Sequence, residues 1–262
     1  MKSSRKKVSP KNELGERGVA VVTGGAGSMG TFICGALARE GFRVVIGYNR
    51  SAEKAKSLAA SLPGDGHAAL ASPVTDSAAL AKFASEIEKR YGFCDVLVNC
   101  AGVTRFVPHG DLDALDDELI ENILSTNVRG PFATVRALRP LLEKSKQPGG
   151  AVIVNISSIA ALTAMGSNVI YCASKAAVDN MTKSLARVLA PKIRVVSLAP
   201  GVVDNDFIRS MDPVWLKEQV GRTPLKRLAA PEEVASAIIA VVKYLTFTTG
   251  GIIPIDGGRP LS

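Results

Sequence analysis

Seven short runs rich in Val, Ile, Leu and Ala punctuate the chain: Val19–Thr23, Arg43–Gly47, His67–Ala71, Val96–Asn99, Ala151–Ile156, Ile193–Leu198 and Ile252–Ile255. The runs are continuously apolar rather than alternating. That is the pattern of strands covered on both faces of a parallel sheet. Between them, the stretches 29–40, 51–62, 76–90, 115–145, 170–190 and 231–245 read as helices. Strand–helix alternation predicts right-handed crossovers and an α/β, doubly wound parallel sheet with helices on both faces. No repeat or linker divides residues 18–262, so a single domain is predicted there. The least regular segment, 203–230, follows the sixth strand and carries Met211 and Trp215. Its length and place predict a lid.

Composition narrows the class. A chain of 262 residues that is 47% hydrophobic can build a large core and is not disordered as a whole. No apolar run approaches the roughly 18 residues of a membrane span, so no membrane partner is expected. Lys plus Arg is 32 and Asp plus Glu is 24, a net charge of +8. Residues 1–17 hold Lys2, Arg5, Lys6, Lys7, Lys11 and Arg17 against Glu13 and Glu16, which is half of that excess. This basic stretch lacks periodic apolar residues and reads as a mobile, solvated tail. Its charge is not set on a helix face with aromatics, so no nucleic-acid partner is expected. The apolar run after it is too short for a signal peptide. Cys34, Cys94, Cys100 and Cys172 form no C-x-x-C pair and no cluster with the two histidines. Reduced thiols, a cytoplasmic location and no metal site are expected.

The segment Val21-Val22-Thr23-Gly24-Gly25-Ala26-Gly27-Ser28-Met29-Gly30 follows the first strand and opens the first helix. Glycines let a backbone turn tightly and approach a pyrophosphate. The helix N-terminus adds free N–H groups and the positive end of its dipole. Thr23, Gly24, Ser28, Met29 and Gly30 are therefore candidate cofactor contacts. At the end of the second strand, Gly47-Tyr48-Asn49-Arg50-Ser51 lacks the acid that binds the ribose 2′-hydroxyl of NAD. Asn49, Arg50 and Ser51 suit a 2′-phosphate instead, because arginine matches phosphate bidentately. NADP is the expected cofactor, with NAD the alternative.

Tyr171 and Lys175 are four residues apart, one helical turn, and share a face. A free phenol ionises near pH 10. A neighbouring ammonium, helped by the cationic cofactor ring, is expected to lower that value and fit the phenol for acid–base work. Ser158 ends the run Val154-Asn155-Ile156-Ser157-Ser158 at the carboxyl edge of the fifth strand, where open α/β sheets bind ligands. Its hydroxyl can donate to a carbonyl oxygen as negative charge develops.

With these residues in place, the chain resembles the short-chain dehydrogenase/reductase family in its single-domain form, over about residues 18–259. It is similar in particular to 3-oxoacyl-[acyl-carrier-protein] reductase-like members. The resemblance implies a Rossmann sheet of seven parallel strands and a catalytic tetrad of Asn127, Ser158, Tyr171 and Lys175. In that family the Tyr passes the proton and the Ser orients the carbonyl. The Lys binds the nicotinamide ribose and lowers the Tyr pKa, and the Asn holds a relay water. Asn99-Cys100-Ala101-Gly102 resembles the motif beside the adenine ribose, with Asn99, Ala101 and Gly102 as contacts. Pro200-Gly201-Val202-Val203 resembles the loop that touches the nicotinamide through Pro200, Gly201 and Val203. Pro224–Arg227 and Pro231–Glu233 resemble the hinge behind the lid.

The chain departs from the pattern at four positions. Ser28 stands at the loop's middle glycine and Cys100 at the usual second Asn. Pro73 stands at an Asp that contacts adenine, leaving the backbone of Val74, and Asn205 at a cofactor-binding Thr. The implied activity is hydride transfer between a nicotinamide and a carbonyl or alcohol. A 3-oxoacyl-thioester or ketone reductase comes first. A sugar or polyol dehydrogenase, or a catalytically silent cofactor binder, is the alternative. Arg105 and His109, after the fourth strand, are candidates to meet a polar or acidic substrate. In many members of that family the helices at 115–145 and 170–190 form the tetramer interface, so the resemblance implies a homotetramer or homodimer.

Overall fold

The computed structural model describes residues 18–261; the basic tail, residues 1–17, lies outside the described residues. Seven strands form one parallel sheet: β1 (Val19–Thr23), β2 (Arg43–Tyr48), β3 (Ala68–Ala71), β4 (Val96–Asn99), β5 (Ala151–Ile156), β6 (Ile193–Pro200) and β7 (Ile252–Ile255). Their order is β3-β2-β1-β4-β5-β6-β7. The chain therefore winds outward from β1 in one direction and from β4 in the other. A crevice opens between the carboxyl ends of β1 and β4, where the order reverses. In register, Thr23 pairs with Asn99, and Asn99 with Asn155.

Successive residues of each strand feed two separate cores. Ala20, Val22, Val98, Val154, Val196 and Leu198 pack on one face. That face is covered by α1 (Ser28–Arg39), α2 (Ala52–Ser61) and α10 (Pro231–Lys243). Val21, Leu97, Ile153 and Val195 pack on the other face, under α3 (Ser77–Tyr91), α5 (Gly130–Leu142) and α7 (Val169–Leu189).

The long helix expected over 115–145 is interrupted. It begins as α4 (Asp117–Leu124), passes through a π-helical turn at Ser125–Arg129 and resumes as α5. Such a bulge adds a residue to one turn and re-aims the helix beyond it. The turn contains Asn127. The segment 203–230, expected to form a lid, is also more regular than expected. After α6 (Ala160–Thr163), which precedes α7, it forms α8 (Asp206–Arg209) and α9 (Pro213–Gly221). Asn205 caps α8 and Asp212 caps α9, the latter with Pro213 in the first turn. None of the helices among the described residues is long and apolar enough to cross a membrane.

Candidate active site

A cleft of about 1390 Å3 runs along the carboxyl edge of the sheet. That exceeds the roughly 300–1,000 Å3 of ordinary ligand pockets. It has room for a dinucleotide and a second molecule.

At one end, Gly24 has φ +63° and a Cβ there would lie 2.9 Å from the Ala101 Cα. At Gly30 a Cβ would lie 2.3 Å from the Gly24 carbonyl oxygen. Only glycine lets β1, the loop and α1 close this tightly. Gly27 begins α1 without a side-chain cap. The first-turn N–H groups are thus left for the cleft, which Gly27, Ser28, Met29 and Gly30 line. Ser28 has no positive φ and needs none; its substitution for glycine leaves the loop's backbone intact. Asn49, Arg50, Ser51, Val74, Ala101, Gly102, Pro200, Gly201 and Val203 line the same cleft. A helix N-terminus, an exposed arginine and a glycine-formed cradle fit a nicotinamide dinucleotide.

Three expected residues stand behind the wall instead. Thr23 is buried, and its Oγ1 accepts from the N–H groups of Cys100 and Ala101, both at 3.2 Å. Asn99 donates to the Asn155 Oδ1 at 2.8 Å, and Asn155 donates to the Thr182 Oγ1 at 2.8 Å. Asn127 accepts from the Val103 N–H at 2.8 Å and donates to the Val103 carbonyl at 2.9 Å. It also donates to the Ser174 hydroxyl at 3.2 Å. These three side chains clamp strand ends and the π turn together.

Ser158, Tyr171 and Lys175 line the cleft together, with the Ser158 hydroxyl hydrogen-bonded to the Tyr171 phenol. Ser158 accepts from the Ala160 N–H at 3.1 Å, which leaves its own proton to donate. The Lys175 ammonium donates to the Ile156 carbonyl at 2.8 Å and sits 5.6 Å from the centre of the Tyr171 ring. A Cβ on Gly102 would lie 3.5 Å from the Asn127 Oδ1 and 3.8 Å from the Lys175 Nζ, so these groups surround one spot.

The electrostatics correct one expectation. Tyr171 is not lowered by its lysine. Burial pushes its phenol above the ordinary value, and the Ser158 hydroxyl pulls it back down in part. Burial also brings Lys175 down to about 8, against the opposing influence of Cys100 and Asp179. Desolvation therefore sets the direction for both groups in the protein without its cofactor.

The sequence pattern did not single out Asn168. It is fully buried, and its Oδ1 accepts from the Tyr171 N–H at 2.6 Å. Its amide donates to the Arg105 carbonyl at 2.8 Å. It caps α7 and fixes Tyr171 against the loop after β4. An Asn just before a helical apolar run is the signal that points to it. Arg105 does not line the cleft; it donates to the Ala114 carbonyl and pairs with Asp116 at 3.1 Å. His109 does line it, as do Met211, Trp215, Glu218, Arg222 and Arg259.

The sequence model of a family described as Enoyl-(Acyl carrier protein) reductase matches residues 24–259. Similarity to known proteins covers more than nine-tenths of the chain. A Streptomyces violaceoruber protein named as ketoacyl reductase 2 of the granaticin polyketide synthase is 37% identical, over 94% of this chain and 97% of its own. The chain belongs to the short-chain dehydrogenase/reductase family. D-threitol dehydrogenase of Mycolicibacterium smegmatis, 33% identical, is matched over 92% of both chains. The Pseudomonas aeruginosa RhlG/NADP active-site complex superposes with a TM-score of 0.84 at 31% identity, covering 92% of this chain and 96% of that one. As a member of this family the chain is an NAD(P)-dependent oxidoreductase acting on small molecules.

Proposed function

We propose that the protein reduces a carbonyl with NADPH, most simply a 3-oxoacyl thioester or a ketone, with Tyr171 as the acid. The observation that carries this reading is the meeting of Ser158, Tyr171 and Lys175 in the cleft that the glycine loop opens onto. The nicotinamide, when bound, supplies the hydride. A phenol kept protonated by burial holds the proton that the carbonyl oxygen needs as charge develops there. The Ser158 hydroxyl, its oxygen already engaged by the Ala160 N–H, donates to the same oxygen. Lys175 lies a turn away on α7 and has its ammonium in reach of a ribose at Gly102.

Arg50 supports NADP over NAD. It is exposed on the cleft after β2, with no carboxylate among Tyr48, Asn49 and Ser51. The wall formed by Phe106, Ile208, Met211 and Trp215 favours an apolar substrate body. The likeness to D-threitol dehydrogenase favours a polyol as the second reading. Exposed Leu124, Phe132, Val169 and Val188 on α4, α5 and α7 support a homodimer or homotetramer. The four cysteines are free, which suits a reducing compartment such as the cytoplasm.

The test is Tyr171→Phe assayed for NADPH oxidation over a carbonyl panel. The variant should bind cofactor as the parent does and turn over at least about 100-fold more slowly. Near-parental turnover would remove Tyr171 from the chemistry.

A further inference from the structure

The hydrogen bonds around the start of α7 converge on one side chain. Asn168 is fully buried and stands behind the cleft wall. Its Oδ1 accepts from the Tyr171 N–H at 2.6 Å, and Tyr171 is the third residue of α7. Its amide donates to the Arg105 carbonyl at 2.8 Å and to the Thr104 Oγ1 at 3.3 Å. One end of the side chain thus holds the helix that carries Tyr171, and the other holds the loop after β4. The neighbouring contacts run the same way. The Val107 N–H donates to the Ser167 carbonyl at 2.8 Å, and the Thr104 and Ser167 hydroxyls hydrogen-bond at 2.5 Å. Val107 is buried among Leu119 and Ile123 of α4 and Ile170 of α7. At the near end of the loop, Asn127 holds both backbone groups of Val103. Residues 103–107 are therefore fixed at Val103 from the π turn and at Thr104, Arg105 and Val107 from the start of α7. Thr104 and Phe106 of this stretch line the cleft.

Capping alone does not call for asparagine here, since serine and aspartate cap helices equally well. Aspartate has no proton for the Arg105 carbonyl. A serine hydroxyl carries a single proton and lacks the amide's reach. Asparagine accepts on one side and donates twice on the other, and all three bonds are made. A misplacement of about 1 Å at a reacting centre can cost on the order of 100-fold in rate. We infer that Asn168 is a positioning residue for the reduction. It sets the gap between Tyr171 and the cleft wall at Thr104 and Phe106, the gap in which the substrate carbonyl is held. Asn168 acts through Tyr171 and the loop, with no contact of its own to substrate or cofactor. This rests on the reading of Tyr171 as the acid.

The experiment compares Asn168→Ala, Asn168→Ser, Tyr171→Phe and the double variant Asn168→Ser with Tyr171→Phe, using NADPH and ethyl acetoacetate. Serine keeps an acceptor for the Tyr171 N–H but not the bond to Arg105; alanine loses both. Asn168→Ala should lower Tm by about 2–4 °C, and Asn168→Ser should recover most of that. In both variants kcat should fall by about 10- to 100-fold, while the Kd for NADPH, by fluorescence titration, stays within about threefold of the parent. In the Tyr171→Phe background the serine change should cost less than about twofold, because residues that act as a unit are not additive. A kcat that recovers along with Tm in Asn168→Ser makes Asn168 only a cap and overturns the inference. So does an undiminished loss on top of Tyr171→Phe, or NADPH affinity that falls in step with kcat. Near-parental turnover by Tyr171→Phe overturns the acid assignment and this inference together, and is told apart because it arises with Asn168 intact. Should the parent leave ethyl acetoacetate unreduced, amide hydrogen exchange reads the loop without turnover. Protection of the Val107 N–H should then fall at least about tenfold in Asn168→Ser while that of α7 is kept. Unchanged protection at Val107, or an equal loss along α7, overturns the inference.

Discussion

Replacing Lys175 by Met isolates the cost of burying an ammonium in the cleft. Lysine's ordinary value of 10.5 falls to about 8 here, with burial as the leading cause. The fold therefore disfavours the protonated lysine by about 3 kcal/mol. Because the folded value is the lower one, the unfolded chain binds this proton more tightly. Between pH 8 and pH 10.5 the unfolded state carries more of it, so stability rises with pH across that window. Below about pH 8 the whole penalty is present, and above 10.5 it has gone. Methionine removes the charge at every pH. It also leaves the Ile156 carbonyl without its donor, which costs about 1–3 kcal/mol but does not vary with pH. Relative to Lys175→Met, the parent should gain about 3 kcal/mol of stability between pH 7 and pH 10.5. Urea denaturation of both proteins without cofactor, at half-unit pH steps, measures this, and subtracting the curves cancels the titrations they share. A difference flat with pH, or one that shrinks, would mean that Lys175 is solvated and would refute the reasoning.

Arg50→Ala should weaken NADPH binding far more than NADH binding; equal weakening of both, by fluorescence titration, would make Arg50 a bystander to the 2′-phosphate. Two glycine-to-alanine changes should separate packing from ligand access. At Gly30 the new methyl would meet backbone at 2.3 Å, so Gly30→Ala should lower Tm by several degrees and impair cofactor binding. At Gly102 the nearest atom would be 3.5 Å away, so Gly102→Ala should keep the parental Tm and still lose cofactor affinity, because Gly102 lines the cleft. A destabilised Gly102→Ala, or full affinity in that variant, would misplace the ribose.

The sheet was legible because its strands are buried on both faces. Val19–Thr23, Val96–Asn99, Ala151–Ile156 and Ile252–Ile255 form where the apolar runs begin and end. β6 runs on to Pro200 because its last residues still pair with β7 through the register Pro200 with Ile255. The break at 125–129 was hidden, since Ser125–Arg129 holds no proline or glycine to mark it. Among the sequence signals, Gly130-Pro131 marks where α5 restarts. The short helices within residues 203–230 were announced by their caps, Asn205 and Asp212, rather than by any apolar periodicity, and a reading weighted to periodicity passes over them.

The site divides along a different line. Residues that bend the backbone or stand at a strand's carboxyl end, such as Gly24, Gly30 and Ser158, can be placed on the cleft from their position alone, because topology decides where strand ends point. Thr23, Asn99 and Asn127 sit at the same strand ends and on the same kind of turn, yet Thr23 and Asn127 spend their polar atoms on neighbouring chain, and Asn99 spends its amide N–H there. Spacing cannot distinguish a side chain that touches a ligand from one that holds the ligand's wall, since both are polar residues at one edge. The distinction needs the partner atom. For Asn127 that partner is the Val103 backbone, so its contribution runs through the shape of the loop beside Gly102. Tyr171 obeys the same logic. Its distance of one turn from Lys175 is fixed by sequence, but the direction of its pKa depends on how much water the fold removes, and here desolvation leads while the lysine's hydrogen bond goes to Ile156.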